Sequence, residues 1–422
     1  MKRIATLVCF LILSLCTAVL PTVSAAAVGY APTEGASFNN PRGTRAQQLV
    51  LTNQIAAAID NVPKGSVIRV TAYSMSEATL RDKLIAAHKR GVDVRMILDD
   101  HVTTADMAKL QTVLGKDRTK GSFLIQCKQS CMSDTGMMHA KYFTFSRTGS
   151  VTHVTMVSSG NPTYTGESIL WNDMYTVVGN VPIYNSFIDY FTAMLADKNN
   201  PDYYRTVTDG KYKSFFYPQA QTDDPNDTII QSLAGVKCDG VGTGYGYQGH
   251  TVIKIAMFRW SAARASIARR LWDLDNQGCV VQVITNKSSD VAQEVFAALL
   301  KPGGKHGGID VFNGQFDLNG DGHRDVYIHH KYMAIDGNYA GDTTAKVTFM
   351  GSINFEWGPE RDSNEDMLKI TDNATNNTFM ANFNLMRDKY TAPIKTVPTT
   401  TELNALAGPA DLSDEEEDQA VN

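Results

Sequence analysis

Two stretches of this chain repeat one pattern: Met138-His139-Ala140-Lys141-Tyr142 and Ile328-His329-His330-Lys331-Tyr332. In each stretch a histidine stands two positions before a lysine, and the flanking residues are apolar or aromatic. Because successive side chains of a β-strand point to opposite faces, His329 and Lys331 are predicted to share one face of a strand. The pattern therefore predicts a polar pair on an otherwise apolar strand, present twice.

Each copy of the pattern is followed by two more features in the same order. The first is a turn of small residues that carries an asparagine, and the second is a polar pair further along. The turns are Ser158-Ser159-Gly160-Asn161 and Gly351-Ser352-Ile353-Asn354, and the pairs are Asn172-Asp173 and Asn364-Glu365. A single His-x-Lys triplet is usually a surface pair, but an ordered series of three features that occurs twice indicates a duplicated functional site.

The residue types of the series suit the cleavage of a phosphodiester without a metal. That reaction requires a nucleophile, a proton donor for the leaving alkoxide, and cations around the phosphoryl oxygens. One histidine can attack phosphorus and the other can protonate the leaving group. Lys141 and Lys331 supply positive charge, while Asn161 and Asn354 supply neutral donors. A carboxylate on the second ring nitrogen of each histidine would fix its tautomer and raise its nucleophilicity.

The duplicated series resembles the phospholipase D superfamily over most of the chain. The resemblance implies a phosphohistidine intermediate between two halves of one chain, with no cofactor required for the chemistry. It implies His139 as the nucleophile and His329 as the general acid. Asp173 and Glu365 stand where the superfamily places the carboxylate partners of these histidines. The implied activity is that of a phosphoric diester hydrolase.

The second copy also completes a His-x-Lys-x-x-x-x-Asp pattern with Asp336, whereas the equivalent position of the first copy is Ser146. In the superfamily this aspartate lies behind the site and is largely structural. The departure leaves the reverse assignment open, with His329 as the nucleophile. His330 lies between two site residues and is therefore predicted to face the other side of its strand and to pack there.

The framework around the two motifs is also duplicated. In each half an amphipathic helix, a strand, a second helix that ends before a glycine and a second strand occur in that order, which indicates a βαβ crossover and parallel pairing. The expected fold is α/β, with two tandem phospholipase D-like sandwich domains related by a pseudo-twofold axis. The predicted domains are residues 28–217 and 228–400, and residues 218–227 are the predicted linker.

The two ends of the chain differ from the body. Residues 1–27 have a basic start, an apolar run and small residues at the end, which is typical of a secretory signal peptide. We therefore expect the protein to be secreted. Residues 401–422 form an acidic tail that is predicted to be disordered. The formal net charge is −5, and the concentration of acids in this tail leaves the body close to neutral, which argues against tight non-specific binding of long nucleic acids.

Four cysteines follow the signal segment: Cys127, Cys131, Cys238 and Cys279. An even number in an oxidising compartment predicts two disulfides. Closeness in sequence favours Cys127 with Cys131, which leaves Cys238 with Cys279. Zinc is the competing interpretation, but the cysteines contain no Cys-x-x-Cys pair.

One loop carries a possible metal site. The segment from Asp317 to Asp325 resembles the first nine positions of a calcium-binding loop, but Ile328 stands at the twelfth position in place of glutamate. Its candidate ligands are Asp317, Asn319, Asp321 and Asp325. A structural calcium that braces the strand of His329 and a set of Asx turns without metal explain this composition equally well.

Three functions fit the sequence. The first is a phospholipase D that acts on phospholipids in a membrane or micelle, with possible transfer of the phosphatidyl group to alcohols. The second is a nuclease of the same superfamily, and the third is a non-catalytic relative that binds a phosphorylated ligand. Apolar residues beside the motifs and the near-neutral body favour phospholipid over nucleic acid. Because one chain supplies both half-sites, we expect a monomer.

Overall fold

The computed structural model of the protein describes residues 29–219 and 226–406. Seven strands of the first half form one sheet in the order β1-β8-β6-β5-β2-β3-β4. These strands, together with the short β7, are β1 (Gly35–Phe38), β2 (Val67–Ala72), β3 (Asp93–Asp99), β4 (Phe123–Cys127), β5 (Tyr142–Thr148), β6 (Val151–Ser158), β7 (Leu170–Trp171) and β8 (Asp173–Val178). The helices are α1 (Arg45–Gln48), α2 (Val50–Asp60), α3 (Ala78–Lys89), α4 (Ala105–Leu114), α5 (Tyr164–Ser168) and α6 (Val181–Leu195).

The second half repeats this arrangement. Its strands are β11 (Val236–Lys237), β12 (Val252–Met257), β13 (Val280–Thr285), β14 (Asp310–Asn313), β15 (Tyr327–Ile328), β16 (Lys331–Tyr339), β17 (Asp342–Gly351), β18 (Asp366–Thr371) and β19 (Ala392–Pro393). Its helices are α7 (Thr228–Ala234), α8 (Ala265–Gln277), α9 (Gln293–Leu299), α10 (Trp357–Arg361), α11 (Asn373–Tyr390) and α12 (Thr400–Leu403), with a 3-10 turn at Ala262–Arg264. The order β14-β13-β12-β16-β17-β18 matches β4-β3-β2-β5-β6-β8 strand for strand.

The predicted βαβ crossovers are present in both halves. Strand β2 pairs in parallel with β3, and β12 pairs in parallel with β13. The connecting helices end where the sequence predicts: Gly91 and Gly278 have φ of 87° and 111°, a left-handed conformation that glycine adopts without a steric penalty. The prediction of two tandem α/β domains is confirmed.

The predicted boundary between the halves is wrong in one respect. Strands β9 (Arg205–Asp209) and β10 (Tyr212–Phe216) precede the linker and lie within the range predicted for the first domain. In the structure β10 pairs antiparallel with β18, so this hairpin extends the second sheet. Phe215 and Phe216 are buried there, which explains why the hairpin leaves the first half.

Helices α6 and α11 contribute to one apolar core that contains residues of both sheets. Phe187 and Phe191 of α6 lie in the same cluster as Phe379 and Phe383 of α11, and all four are almost completely buried. Because this shared core joins the halves over a large apolar area, the position of one half is fixed relative to the other. That rigidity allows a site to be assembled from both.

The ends and the cysteines can be compared with the sequence predictions. The predicted signal segment, part of the predicted linker and residues 407–422 lie outside the described residues. The first part of the tail predicted to be disordered instead forms α12, where Leu403 is buried and Glu402 pairs with Lys287.

Both disulfides are confirmed, Cys127–Cys131 and Cys238–Cys279. No helix in the described ranges combines the length and apolar character needed to cross a bilayer.

A buried ion triad fixes α10, the short helix that leads to Glu365. The guanidinium of Arg264 lies 2.6 Å from Asp227 and 3.2 Å from Glu360, and each side chain is at most 1% exposed. Glu360 also accepts a hydrogen bond of 2.8 Å from the backbone N–H of Thr228. The triad therefore links α10 to the start of α7 and to the turn before α8.

Removal of the central cation should be costly. We expect Arg264→Met to lower the free energy of unfolding by about 3–5 kcal/mol, because two carboxylates would remain buried without their counter-charge. The matched control is Arg118→Met, since Arg118 makes an exposed pair of 2.9 Å with Asp197 and should change stability by about 1 kcal/mol or less. Urea unfolding at neutral pH measures both. Equal effects of the two substitutions would contradict the assigned role of the triad.

Candidate active site

The two His-x-Lys segments lie where the halves exchange backbone hydrogen bonds. Strand β15, directly before His329, pairs in parallel with β7 of the first half. Met138, directly before His139, forms the corresponding parallel bridge with Asn364. The N–H of His139 donates to Asn364 O at 2.9 Å, and the N–H of His329 donates to Trp171 O at 3.1 Å. Each histidine is therefore fixed to the half that does not contain it.

This arrangement refines the predicted strand. The sequence predicts one continuous strand through His329 and Lys331, but β15 ends at Ile328 and β16 begins at Lys331. The chain changes its pairing partner between these points, from β7 to the strands of its own sheet. His329 thus lies at a junction between two strands.

The side chain of His139 is held by a carboxylate of the other half. Its Nδ1 lies 2.7 Å from Glu365 Oε1, and both side chains are at most 4% exposed. Glu365 Oε2 accepts a short hydrogen bond from Ser352. Because the carboxylate can only accept, Nδ1 carries the proton and Nε2 keeps its lone pair.

His329 has a different partner from the one that the sequence predicts. Its Nδ1 lies 2.8 Å from Asn172 Oδ1, whereas the predicted partner was Asp173. The amide orientation is fixed, because Asn172 Nδ2 donates to Gly166 O at 2.9 Å and Ser159 Oγ donates to Oδ1 at 3.0 Å. His329 therefore also carries its proton on Nδ1, but it faces a neutral oxygen in place of a charged one.

Asp173 belongs to a separate buried pair. Its Oδ1 lies 2.6 Å from Nδ1 of His330, and neither side chain is exposed to solvent. His330 also packs edge-on against Phe38 and Tyr332. The position of His330 away from the site agrees with its predicted packing role, but its carboxylate partner was not anticipated.

The predicted partner of His329 was wrong by one residue, and the reason lies in how the two polar pairs were aligned. In the sequence, Asn172-Asp173 and Asn364-Glu365 align by the asparagine that begins each pair. The structure aligns Asn172 with Glu365, since each accepts from a serine 13 residues earlier, Ser159 and Ser352. Counting from these serines would have identified the equivalent residue.

The two lysines lie beside their histidines and are nearly inaccessible. Lys141 is 1% exposed and Lys331 is 3% exposed. Lys141 Nζ donates to His139 O at 2.9 Å, and Lys331 Nζ donates to His329 O at 3.0 Å. Lys331 Nζ also lies 3.1 Å from both ring nitrogens of His329. Two buried cations at one site create a positive potential that favours an anion.

The two asparagines of the series occupy different environments. Asn161 Oδ1 accepts a hydrogen bond of 3.1 Å from the N–H of Tyr73. Asn354 is 4% exposed and lines the cleft, and its Oδ1 has no hydrogen-bond partner among the described residues. Tyr73 and Phe258 occupy equivalent positions at the ends of β2 and β12, where they pack against His139 and His329 respectively.

A cleft of about 400 Å³ leads to His139. Its lining includes Phe258, Arg259, Asn354 and Glu356, with Asp134 and Asp362 further along the wall. Burial raises the pKa of Glu356, although Arg259 and His139 oppose this shift. The wall of the cleft therefore carries charged groups of both signs beside apolar side chains such as Phe258.

Asp336, which was predicted among the site residues, lies elsewhere, and so does Ser146, the residue at the equivalent position of the first copy. Asp336 does not line the cleft, and it accepts from Lys346 Nζ at 2.7 Å and from the N–H of Gly246 at 3.0 Å. Its placement among the catalytic residues is corrected, since its contacts brace β16 against β17 and a loop. Ser146 also has a structural contact, because its hydroxyl accepts from the N–H of Val67 at 2.8 Å.

The candidate calcium loop is closed by its own backbone. The two oxygens of Asp317 accept from Gly320 at 2.6 Å and Gly322 at 2.9 Å. Asp325 Oδ2 accepts from the N–H groups of Leu318 and Asn319. These are Asx-type turns, and calcium binding by Asp317, Asn319, Asp321 and Asp325 stays a prediction. Among the described residues the one cluster of acids and histidines close enough to share a metal is Asp99, Asp100 and His101.

Comparisons with known proteins agree with the duplicated geometry. The family model described as "Cardiolipin synthase, PLD-like domain" matches twice, at residues 55–195 and 248–387. A search of curated protein sequences found no match.

Solved structures resemble the fold at low identity. Phosphatidylserine synthase from Haemophilus influenzae Rd KW20 has a TM-score of 0.58 and 12% identity, over 88% of this chain and 90% of that one. Polyphosphate kinase from Porphyromonas gingivalis has a TM-score of 0.52 and 12% identity, over 84% of this chain. This chain spans 50% of the length of that kinase. The two matches of the family model cover most of the chain, and the protein belongs to the phospholipase D superfamily as a member with two PLD-like domains.

Proposed function

We propose that the protein is a secreted phosphodiesterase that hydrolyses phospholipid head groups through a phosphohistidine intermediate. The observation that carries the proposal is the crossed pair of contacts, His139 with Glu365 and His329 with Asn172. Each contact occupies the Nδ1 of its histidine, so the chemistry is assigned to Nε2, and the two buried lysines favour a phosphate between the histidines. Phospholipid is preferred to nucleic acid because the body is near neutral and the cleft wall includes carboxylates.

His139 is paired with the carboxylate of Glu365 and His329 with the amide of Asn172. This difference supports His139 as the nucleophile. A carboxylate on Nδ1 stabilises positive charge on the ring, so Glu365 makes Nε2 of His139 more nucleophilic. Asn172 orients the ring of His329 but adds no charge, so the protonated form of His329 releases its proton more readily. The amide therefore suits a general acid, and the carboxylate suits a nucleophile.

The reaction then proceeds in two displacements. In the first, His139 Nε2 forms a bond to phosphorus as the bond to the head-group oxygen breaks, and His329 donates its proton to that oxygen. In the second, His329 takes a proton from water as the water oxygen attacks phosphorus and the bond to His139 breaks. The products are phosphatidic acid and the free head group. An alcohol in place of water would give transfer of the phosphatidyl group.

Lys141, Lys331, Asn161 and Asn354 are the proposed ligands of the phosphoryl oxygens. The two ammonium groups stabilise the charge that develops during each displacement, and the asparagine amides can donate to the same oxygens. Glu365 and Asn172 are positioning residues, since they act through the histidines. Asp173 has no part in this mechanism, because it holds His330.

Substitution of the two histidines should separate their roles. We expect His139→Ala and His329→Ala each to lower kcat for phospholipid by about 10³-fold or more, with unchanged circular dichroism. Bis(4-nitrophenyl) phosphate has a leaving group that needs no proton, so His329→Ala should still give a burst of one nitrophenolate per site. His139→Ala should give none. A burst in His139→Ala alone would reverse the assignment.

The two positioning residues should differ in their effect on the pH profile. Glu365→Gln should lower kcat by about 10²–10⁴-fold, and Glu365→Asp should restore part of it. Asn172→Asp should move the alkaline limb of the kcat/KM profile to higher pH, because a carboxylate stabilises the protonated acid His329. Asn53→Asp, at an exposed asparagine of α2, serves as the control. An unmoved alkaline limb in Asn172→Asp would contradict the role of His329 as the acid.

Substrate class is tested by a direct comparison. We expect the protein without its signal segment to release choline from phosphatidylcholine vesicles, to leave single-stranded DNA intact, and to retain turnover in a metal chelator. Head-group release is measured by a coupled choline assay and DNA cleavage by gel electrophoresis. DNA cleavage without choline release would favour the nuclease, and phosphate-ligand binding without turnover of either substrate would favour a non-catalytic relative.

A further inference from the structure

A second cavity adjoins the catalytic cleft and plays no part in the mechanism above. Its volume is about 460 Å³, and Arg259 and Glu356 line both spaces. The cavity lies at the carboxyl ends of two parallel strands, because Arg259 to Ser261 follow β12 and Ser288 to Asp290 follow β13. Crevices at this edge of an α/β sheet are common positions for ligands.

Two arginines on the wall of this cavity are held by one aspartate. Asp290 pairs through Oδ2 with Arg324 and lies 3.6 Å through Oδ1 from Nε of Arg259. The guanidinium of Arg324 also stacks over the ring of Tyr327, 4.0 Å from its centroid. Both guanidinium groups are therefore preorganised at small exposure, 11% for the side chain of Arg259 and 6% for that of Arg324. Planar, fixed guanidinium groups are well suited to phosphate.

A third group on the wall indicates a polar ligand. Ser261 Oγ is buried and has no hydrogen-bond partner within the described part of the chain. A buried hydroxyl without a partner is energetically unfavourable, and a bound polar group would satisfy it. Glu356 adds a carboxyl to the same wall, and burial raises the pKa of this carboxyl.

The two arginines are not required by the fold. In the first half, the residue equivalent to Arg259 is Ser74, since each follows the aromatic residue that packs on a catalytic histidine. The residue equivalent to Arg324 is Asp134, which lies five residues before His139 as Arg324 lies five before His329. The same framework forms with a serine and an aspartate at these positions. The basic pair is therefore a property of one side of the site.

We propose that this cavity binds a second phosphate group of the substrate whose phosphodiester reacts at His139 and His329. The inference rests on the proposed function and narrows its substrate to lipids with two phosphates joined by a short bridge. The path is short: the ring of Phe258 lies 4.6 Å from that of His329, and the guanidinium carbon of Arg259 lies 5.1 Å from the Phe258 ring. One aromatic ring thus separates the reacting phosphate from the second subsite.

The test compares two lipids that differ in the second phosphate. Cardiolipin carries two phosphates on a glycerol bridge, and phosphatidylglycerol carries one. We expect Arg324→Gln to raise KM for cardiolipin about tenfold more than KM for phosphatidylglycerol, because a charged hydrogen bond is lost for the former alone. Arg269→Gln, at an exposed arginine of α8, is the matched control and should not change this ratio. An unchanged ratio in Arg324→Gln would overturn the inference.

A second variant and a binding measurement test the same subsite independently of Arg324→Gln turnover. Ser289 is exposed on the cavity rim, so Ser289→Glu places a repelling carboxylate there without disturbing the core, and it should change the KM ratio in the same direction. Calorimetry with inorganic pyrophosphate measures binding at the subsite without turnover. It should weaken in both variants, and unchanged affinity in both would contradict the proposal.

A nucleotide pair distinguishes the source of the second phosphate. Thymidine dinucleotides with and without a 5′-phosphate repeat the lipid comparison on a nucleic-acid substrate. A KM difference confined to the nucleotides would overturn the lipid assignment in favour of a neighbouring phosphate in a strand. If bis(4-nitrophenyl) phosphate is not cleaved but pyrophosphate binding depends on Arg324, the proposed function fails while the anion subsite stands.

Discussion

The hydrogen bonds exchanged between the halves are the constraint on which the site depends. The backbone of each His-x-Lys segment pairs with the segment of the other half that carries the histidine's side-chain partner. His139 is bound in this way to the Asn364-Glu365 segment, and His329 to the Trp171-Asn172 segment. Two histidines that belong to different domains thus acquire fixed orientations, and neither orientation can form without the opposite half. The shared core around α6 and α11 supplies the rigidity that this exchange requires.

The two halves share a duplicated framework, and they differ at a few side chains in and beside the candidate site. Equivalent strands, helices, serines and lysines occur on both sides, so a strictly symmetric site would have two interchangeable histidines. Glu365 of the second half is equivalent to Asn172 of the first half. Arg259 and Arg324 are likewise equivalent to Ser74 and Asp134. These differences lie on side chains of the candidate site and of the adjoining cavity, whereas the order of the central strands is the same in both halves. We infer that they assign separate tasks to the two halves.

The sequence predicted most of the framework, because hydrophobic periodicity and glycine stops are local signals. Strand β8 and the helices after β2 and β12 occur close to their predicted positions. Partners set by long-range contacts were harder to predict. Asn172 was missed because an acid stood next to it, and a carboxylate is the more familiar partner of a histidine. The hairpin β9–β10 was misplaced because its pairing with β18 lies far along the chain. Arg259 and Arg324 carry no motif, and they converge through the fold alone.

The hairpin that crosses to the second sheet also affects how the two halves can be separated. A break in the linker would leave β9 and β10 on the first fragment, while β18 on the second would lose its neighbour and expose an unpaired edge. An open edge of this kind recruits a matching strand. The first fragment carries that strand, with Phe215 and Phe216 to fill the apolar space beneath it. The connection therefore joins the domains by strand pairing as well as by the covalent chain. This pairing would favour reassembly of the severed chain with β10 beside β18.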